Sequence, residues 1–505
     1  MPLIALVVLL AAQVCAAEEW AEFTQRFQKE MQAEDAAARK ASVEGIAAFD
    51  TPEAVELAAK VWQAQTKRLA AIEAEKWKLR DEMAKYPLEI RDFKPVNKEW
   101  WEKRKALDLE ARKVEDRARA EREIALAAVG VIASRATELA VAEAINLLEK
   151  STDDALRAAI AQAAEAGPED WIAALVERAG ADKDPVVRAS ALGALAGRRA
   201  EAALPAFAKA LSDPVWQVQL GGVRGLDVLD LVEGIPPLVD ALARYDGRLK
   251  WEANGALARL TGEDFHGDAG LWKSWWEANH EAWALARPPR AEREAKATDE
   301  GGGTTFYGIV VKSKRVVFML DRSESMKGPA RWKPTVESGK ASALPIKPGD
   351  RKIDVAKLEL ARAILGLPED ALFNVVFYNR DMTVLNPKGL VKATKENKDA
   401  AIKFLSPIEP EGVTNTFDTL EKCLDWFGKG GGDKNFTERA DTFFLLSDGF
   451  PSAGQIVDPD AIRAEFKRRN LDRHVVLHTI GVGEDAADKF MKGLAEDNGG
   501  QFVKR

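Results

Sequence analysis

The sequence predicts a multidomain protein in which a helical hairpin or coiled coil and an α-helical solenoid precede an α/β domain with a doubly wound sheet. Three observations predict it. A chain of 505 residues exceeds what one core organises, so about two to four domains are expected. Its first half is rich in Ala, Glu, Lys and Arg with few strand formers, and between residues 131 and 286 aspartates recur at intervals of about thirty residues. From Arg315 onward, β-branched runs alternate with helical patterns, as parallel strands and their covering helices require. With 46% hydrophobic and 30% charged residues the chain reads as globular, and its formal charge of −8 gives no electrostatic reason to expect nucleic acid as a partner.

Pro2 to Ala12 form an apolar run too short to span a bilayer, and small residues suited to cleavage follow at Cys15-Ala16-Ala17. Residues 1–17 are therefore read as a signal peptide, which places the protein in the periplasm, in the medium or at the cell surface. Only the α-amino group supplies positive charge at its start, so an uncleaved anchor is the alternative. Gln13 and Val14 spoil a lipoprotein box. Once the signal is removed, Cys423 is the only thiol and no intramolecular disulfide can form. Export without disulfides is compatible with a bacterial envelope protein. No later segment is apolar enough for a transmembrane span.

Residues 18–130 are expected to form two antiparallel helices. Thr51-Pro52 starts the first, which carries Trp62, Leu69, Ile72, Leu79, Met83 and Tyr86 at heptad-like spacing. Pro87 and Pro95 break it, and the helix from Trp100 to Ile124 has a thin stripe of Leu107, Ala111, Val114 and Ala118. A spacer or dimerising coiled coil and a hairpin packed on its neighbours are both open. In residues 131–286, Asp154, Asp184-Pro185, Asp213-Pro214 and Asp246 each open a helix. The units beginning at Asp184 and Asp213 resemble HEAT repeats, similar in kind to ARM repeats, and that resemblance implies a stacked solenoid. Such a surface either binds a second protein partner or spaces the last domain. Leu271 to Glu277 is expected to close the stack with its tryptophans. Residues 287–304, charged, proline-bounded and glycine-ended, read as a mobile linker with few contacts across it.

The last domain, residues 305–505, opens with a strand-like stretch from Thr304 to Val311 that is expected at the sheet edge. A first central strand is expected to begin at Arg315, with others at Phe373–Tyr378, Met382–Leu385, Thr442–Ser447, Val475–Val482 and Gln501–Lys504. Helices are expected at Asp354–Leu365, Glu396–Leu405, Thr416–Phe427, Pro459–Asn470 and Ala486–Asn498. The run Arg315 to Leu320 ends in Asp321, with Ser323 and Ser325 at alternate positions beyond it. A buried parallel strand would deliver these oxygens at its carboxyl end, where open α/β sheets bind ligands. Three small polar residues after a strand also make ordinary turns or caps.

The Asp-x-Ser-x-Ser pattern resembles the metal-ion-dependent adhesion site of von Willebrand factor type A domains. Gly412-Val413-Thr414-Asn415-Thr416 and Phe443 to Gly449, ending in Asp448, resemble the second and third loops of that family. The resemblance covers about two-fifths of the chain and implies a Rossmann-like fold. It also implies a site at which Asp321, Ser323, Ser325, Thr414 and Asp448 hold Mg²⁺, or Mn²⁺ or Ca²⁺ in its place, completed by an Asp or Glu of a protein partner. The family's central glycine is Glu324 here, and a loop from Lys327 to Lys352 follows the motif. The sequence ends at the last strand, which leaves the family's moving terminal helix without a counterpart.

His474 and His478 share one expected strand face without a third ligand, and read as structural. Lys327, Arg331, Lys333, Lys340, Lys347, Arg351 and Lys352 read as a solvated basic loop, or else as a docking strip for an acidic partner. Gly430-Gly431-Gly432 lacks the ending of a phosphate loop. The function expected is exported, non-enzymatic binding. A hydrolase using the metal as a Lewis acid is one alternative, for which no nucleophile or positioned base is visible. A structural scaffold with an inactive site is the other.

Overall fold

The computed structural model describes residues 19–86, 90–91, 94–95, 98–296, 304–330, 350–427, 440–470, 473–483 and 487–505. The expected signal peptide, most of the basic loop and Gly430-Gly431-Gly432 lie outside these residues. Two compact units divide the chain: one takes the residues as far as Lys85 together with Lys113–Ala203, the other Tyr86–Arg112 together with Leu204–Arg505.

The first unit is helical. After a helical stretch over 19–30 come α1 (Ala36–Gly45), α2 (Pro52–Ala84) and the later turns of α3 (Lys98–Ala133). Thr51 caps α2 through Ala54 N, with Pro52 in the first turn where its missing N–H costs nothing. The thin apolar stripes are completed by buried ion pairs, Lys76 with Glu115 at 2.5 Å and Arg39 with Glu121 at 2.7 Å. Such pairs fix the register of two helices more than they stabilise them. There follow α4 (Glu138–Lys150), α5 (Asp154–Ala163), α6 (Trp171–Ala181) and α7 (Pro185–Gly197). Asp184 caps α7 as expected, accepting from Val186 N and Val187 N, but the cap of α5 is Asp153 and not Asp154. Asp154 instead pairs with Arg157, which also makes a buried two-pronged contact with Asp182.

In the second unit the repeats continue as α8 (Leu204–Ala210), α9 (Trp216–Leu229), α10 (Ile235–Leu242), α11 (Gly247–Thr261) and α12 (Ala269–Leu285). Asp213 binds Val215 N in a turn, so Pro214 precedes α9 and does not occupy its first turn. Gly225 is needed for close approach, since a Cβ there would lie 2.1 Å from Phe207 Cδ1. Trp272 is buried at the end of the stack, its indole N–H donating to Asn254 Oδ1 at 2.8 Å.

The stretch expected to be a mobile linker opens instead as a docked helix, α13 (Arg290–Lys296). Its Arg293 is 2% exposed and donates to the carbonyls of Arg259 and Leu260 at the end of α11, and to Asp230. Those carbonyls have no partner within their own helix, and a guanidinium is suited to gather several at once.

The α/β domain begins with a hairpin of β1 (Thr305–Phe306) and β2 (Ile309–Val310), which pairs with itself and does not extend the sheet edge as expected. Phe306 and Tyr307 are buried in the core instead. The sheet consists of β3 (Arg315–Asp321), β4 (Leu372–Tyr378), β5 (Met382–Val384), β6 (Val391–Lys392), β7 (Thr442–Ser447), β8 (Val476–Gly481) and β9 (Phe502–Lys504). Its order is β9-β8-β7-β3-β4-β5, with β6 also on β4; β5 and β6 run antiparallel and the rest parallel. Successive residues of β3 enter different cores because side chains alternate along a strand. Val316, Phe318 and Leu320 pack with α14 (Lys352–Leu365) and α15 (Lys395–Leu405). Val317 and Met319 pack with α16 (Thr416–Phe427), α17 (Pro459–Asn470) and α18 (Asp488–Glu496).

This domain is not loosely appended to the last repeats. Arg248 of α11, 7% exposed, donates to the carbonyls of Asp441 and His474, and Asp246 pairs with Lys314 at 2.8 Å. The expectation of few contacts is thereby overturned, because the residues before β7 and β8 leave carbonyls that a long cationic side chain can reach. His474 itself lies before β8 with a left-handed φ of 52°, so the two histidines do not share a strand.

Candidate metal site

β3 and β7 are adjacent, with Leu320 opposite Leu446, so Asp321 and Asp448 emerge side by side at their carboxyl ends. Asp321 is fully buried. Its Oδ1 accepts from Ser323 N at 2.7 Å and its Oδ2 from Ser447 Oγ at 2.7 Å. From Ser323 the hydroxyls continue as a chain, Ser323 Oγ to Ser325 Oγ at 3.1 Å and Ser325 Oγ donating to Asp448 Oδ1 at 2.7 Å. Four of the five expected residues are thus joined by hydrogen bonds. Thr414, 5% exposed, is brought in through its backbone: its N–H donates to Ser452 Oγ, and its carbonyl accepts from Ser452 N and Ala453 N. The second loop also binds the first, Glu324 N donating to Gly412 O and Glu411 N to Arg322 O.

Burial pushes Asp321 up to about 7, and the like charge of Asp448 adds to this against the hydrogen bonds from Ser447 and Ser323. Such tension is what a bound cation relieves. The donor set consists of two carboxylates and three hydroxyls, all hard oxygens, which fits Mg²⁺ or a similar divalent ion. Among the described residues no group of three or more His, Cys, Asp or Glu is placed to hold a metal ion.

Several neighbours were not visible in the sequence. The first is Lys352, the opening residue of α14, whose Nζ lies 2.7 Å from Asp448 Oδ2. Two others come from α3: Arg112 Nε donates to Gly454 O at 3.0 Å, and Arg104 lies 3.7 Å from Asp381. Only long-range contact brings these groups together, and nothing in local spacing marks it. Glu324 turns away to Lys327 at 2.7 Å, and Arg351 pairs with Asp354 and Glu409. These basic residues of the loop are therefore engaged and not merely solvated. Burial, with Arg224 and Arg248 nearby, lowers His474 to about 3, and burial with Arg248 lowers His478 to about 4. His478 stacks on Phe444, consistent with a structural role.

Sheet order, alternating cores and a cluster of strand-end oxygens define a doubly wound α/β domain behind helical repeats. Residues 349–503 match the von Willebrand factor type A domain, and residues 172–258 match HEAT repeats. The chain is a multidomain protein carrying a von Willebrand factor type A domain preceded by HEAT repeats. The first of those matches begins after the Asp-x-Ser-x-Ser motif, which the long loop separates from it. Over 194 residues the chain is 27% identical to inter-alpha-trypsin inhibitor heavy chain H3 of Bos taurus, covering 38% of this chain and 19% of that one. It is likewise 27% identical over 194 residues to heavy chain H4 of Homo sapiens, covering 38% and 18%. The chain thus spans about a fifth of the length of these curated relatives. A von Willebrand factor type A structure from Catenulispora acidiphila aligns with a TM-score of 0.28 at 20% identity, covering 38% of each chain.

Proposed function

We propose that this is an exported, non-enzymatic binding protein whose α/β domain engages an acidic group of a protein partner through a divalent cation. Asp321, Ser323, Ser325, Thr414 and Asp448 would hold the cation. Once bound, it offers a coordination position that a partner's Asp or Glu can take from water. The observation that carries the reading is the hydrogen-bonded line from Asp321 through Ser323 and Ser325 to Asp448. Ser447 orients the first carboxylate, and the backbone contacts of Thr414 hold the second loop against the segment after Asp448. Type A domains and HEAT repeats both point to protein–protein interaction, and the repeats would serve as spacer or second binding surface. No helix among the described residues is long and apolar enough to cross a membrane. On this reading, residues 1–17 are a signal, 18–130 a helical region, 131–286 repeats and 305–505 the binding domain.

Full-length protein immobilised and exposed to an envelope extract tests the proposal. Capture in Mg²⁺ that is reversed by chelator and absent from Asp448→Ala is expected. Equal capture by both proteins in chelator would contradict it.

A further inference from the structure

Two carboxylates meet at the candidate site, and the structure also supplies it with a positive charge. Lys352 Nζ lies 2.7 Å from Asp448 Oδ2, with the lysine side chain 13% exposed and the carboxylate fully covered. The placement is built. Lys352 N–H donates to Gly328 O at 2.9 Å, which pins the backbone at the start of α14. Gly483, just beyond β8, has a φ of +91°, and a Cβ on it would come within 2.9 Å of both Lys352 Cε and Nζ. The end of the side chain therefore passes close over Gly483, whose backbone conformation glycine adopts without strain. The other basic side chains around the site have partners elsewhere: Arg322 pairs with Glu411, Lys327 with Glu324, and Arg351 with Asp354 and Glu409.

We infer that Lys352 is a resident counter-ion, which keeps the site folded without metal and weakens its hold on divalent cations. The inference rests on the reading of the five oxygen residues as a metal site. Without a cation, two buried carboxylates repel each other, and a tethered ammonium relieves that repulsion at no cost in association. The same ammonium cancels one unit of the negative charge offered to an incoming cation. A divalent ion must then displace Lys352 from Asp448 or share the carboxylate with it. The site would fill only at the higher divalent concentrations, and the domain would not depend on metal for folding.

Calorimetric titration of full-length wild type, Lys352→Met and Lys352→Arg with Mn²⁺ tests this, with the proteins purified in Mn²⁺ and then chelated. Methionine keeps the stem and removes the charge, so Lys352→Met should bind Mn²⁺ about tenfold more tightly or better. Lys352→Arg keeps the charge and should stay near wild type. In chelator, Lys352→Met should melt below wild type, and Mn²⁺ should restore it. If wild type binds Mn²⁺ and Lys352→Met binds it equally or more weakly, the inference falls while the metal site stands. Tightening of both variants alike would also overturn it, because charge would not be the cause. If neither wild type nor Lys352→Met binds Mn²⁺, the site reading falls and the inference with it.

Discussion

At the scale of single residues, the oxygen-bearing residues of the candidate site were legible because their chemistry is local. A strand-length apolar run that ends in Asp321, Ser323 and Ser325 announces a carboxyl-end loop, and the structure joins those residues to Asp448. Lys352 was not legible. It closes the long loop, where a lysine among many basic residues looks solvated, and only the fold reveals its partner. The histidines lend themselves to a pH test. His474 and His478 are held at about 3 and about 4, below the ordinary 6.5, mainly by burial. Between pH 6.5 and 5 the unfolded chain therefore binds protons that the folded chain refuses. Their contribution is complete above about 6.5 and is lost as pH falls toward the folded values. Both residues are only partly covered from solvent, which brings the expected loss to about 1 kcal/mol for each between pH 7 and 5. His478 Nδ1 accepts from Gln501 N at 3.0 Å, and urea unfolding at the two pH values should show a shallower loss for His478→Asn, whose amide oxygen can also accept there. An identical loss in the variant would refute the assignment.

At the scale of elements, periodicity located the α/β domain well. α16, α17 and β7 fall where the sequence placed them, and α14 and α15 differ at one end only. The failures share a cause. The hairpin β1–β2 is strand-like in composition but is used to cap the core, and α13 is charged enough to look like linker although Arg293 is buried against helix-end carbonyls. Propensity reports backbone preference and cannot report docking. Two substitutions test the docking. Arg248→Ala would take this donor from the carbonyl of His474, leave that of Asp441 with Val476 N alone, and strip the neighbouring Glu252 of a cation, and should cost about 3 kcal/mol in urea unfolding. A change under a few tenths would mean the clamp is idle. Gly225→Ala forces a methyl against the Phe207 ring and should cost about 1–3 kcal/mol in the same measurement. An unaffected midpoint would show that α8 and α9 are not packed as described.

At the scale of the whole molecule, the order of helical repeats and α/β domain was legible from composition and spacing. The way the contacts divide it was not. Compact units that exchange at residues 85, 112 and 203 leave no composition signal, since the helices on either side are equally rich in alanine and charge. The binding reading depends on one property above all, a divalent cation held by residues from three separate loops of this chain. Calorimetric titration of Mg²⁺ and Mn²⁺ into full-length wild type and Asp448→Ala, with circular dichroism on both, measures it directly. The account predicts saturable one-site binding in wild type, and no binding in a variant that keeps its helical and sheet signal. Binding of equal affinity in the folded Asp448→Ala variant, or none in wild type, would contradict it.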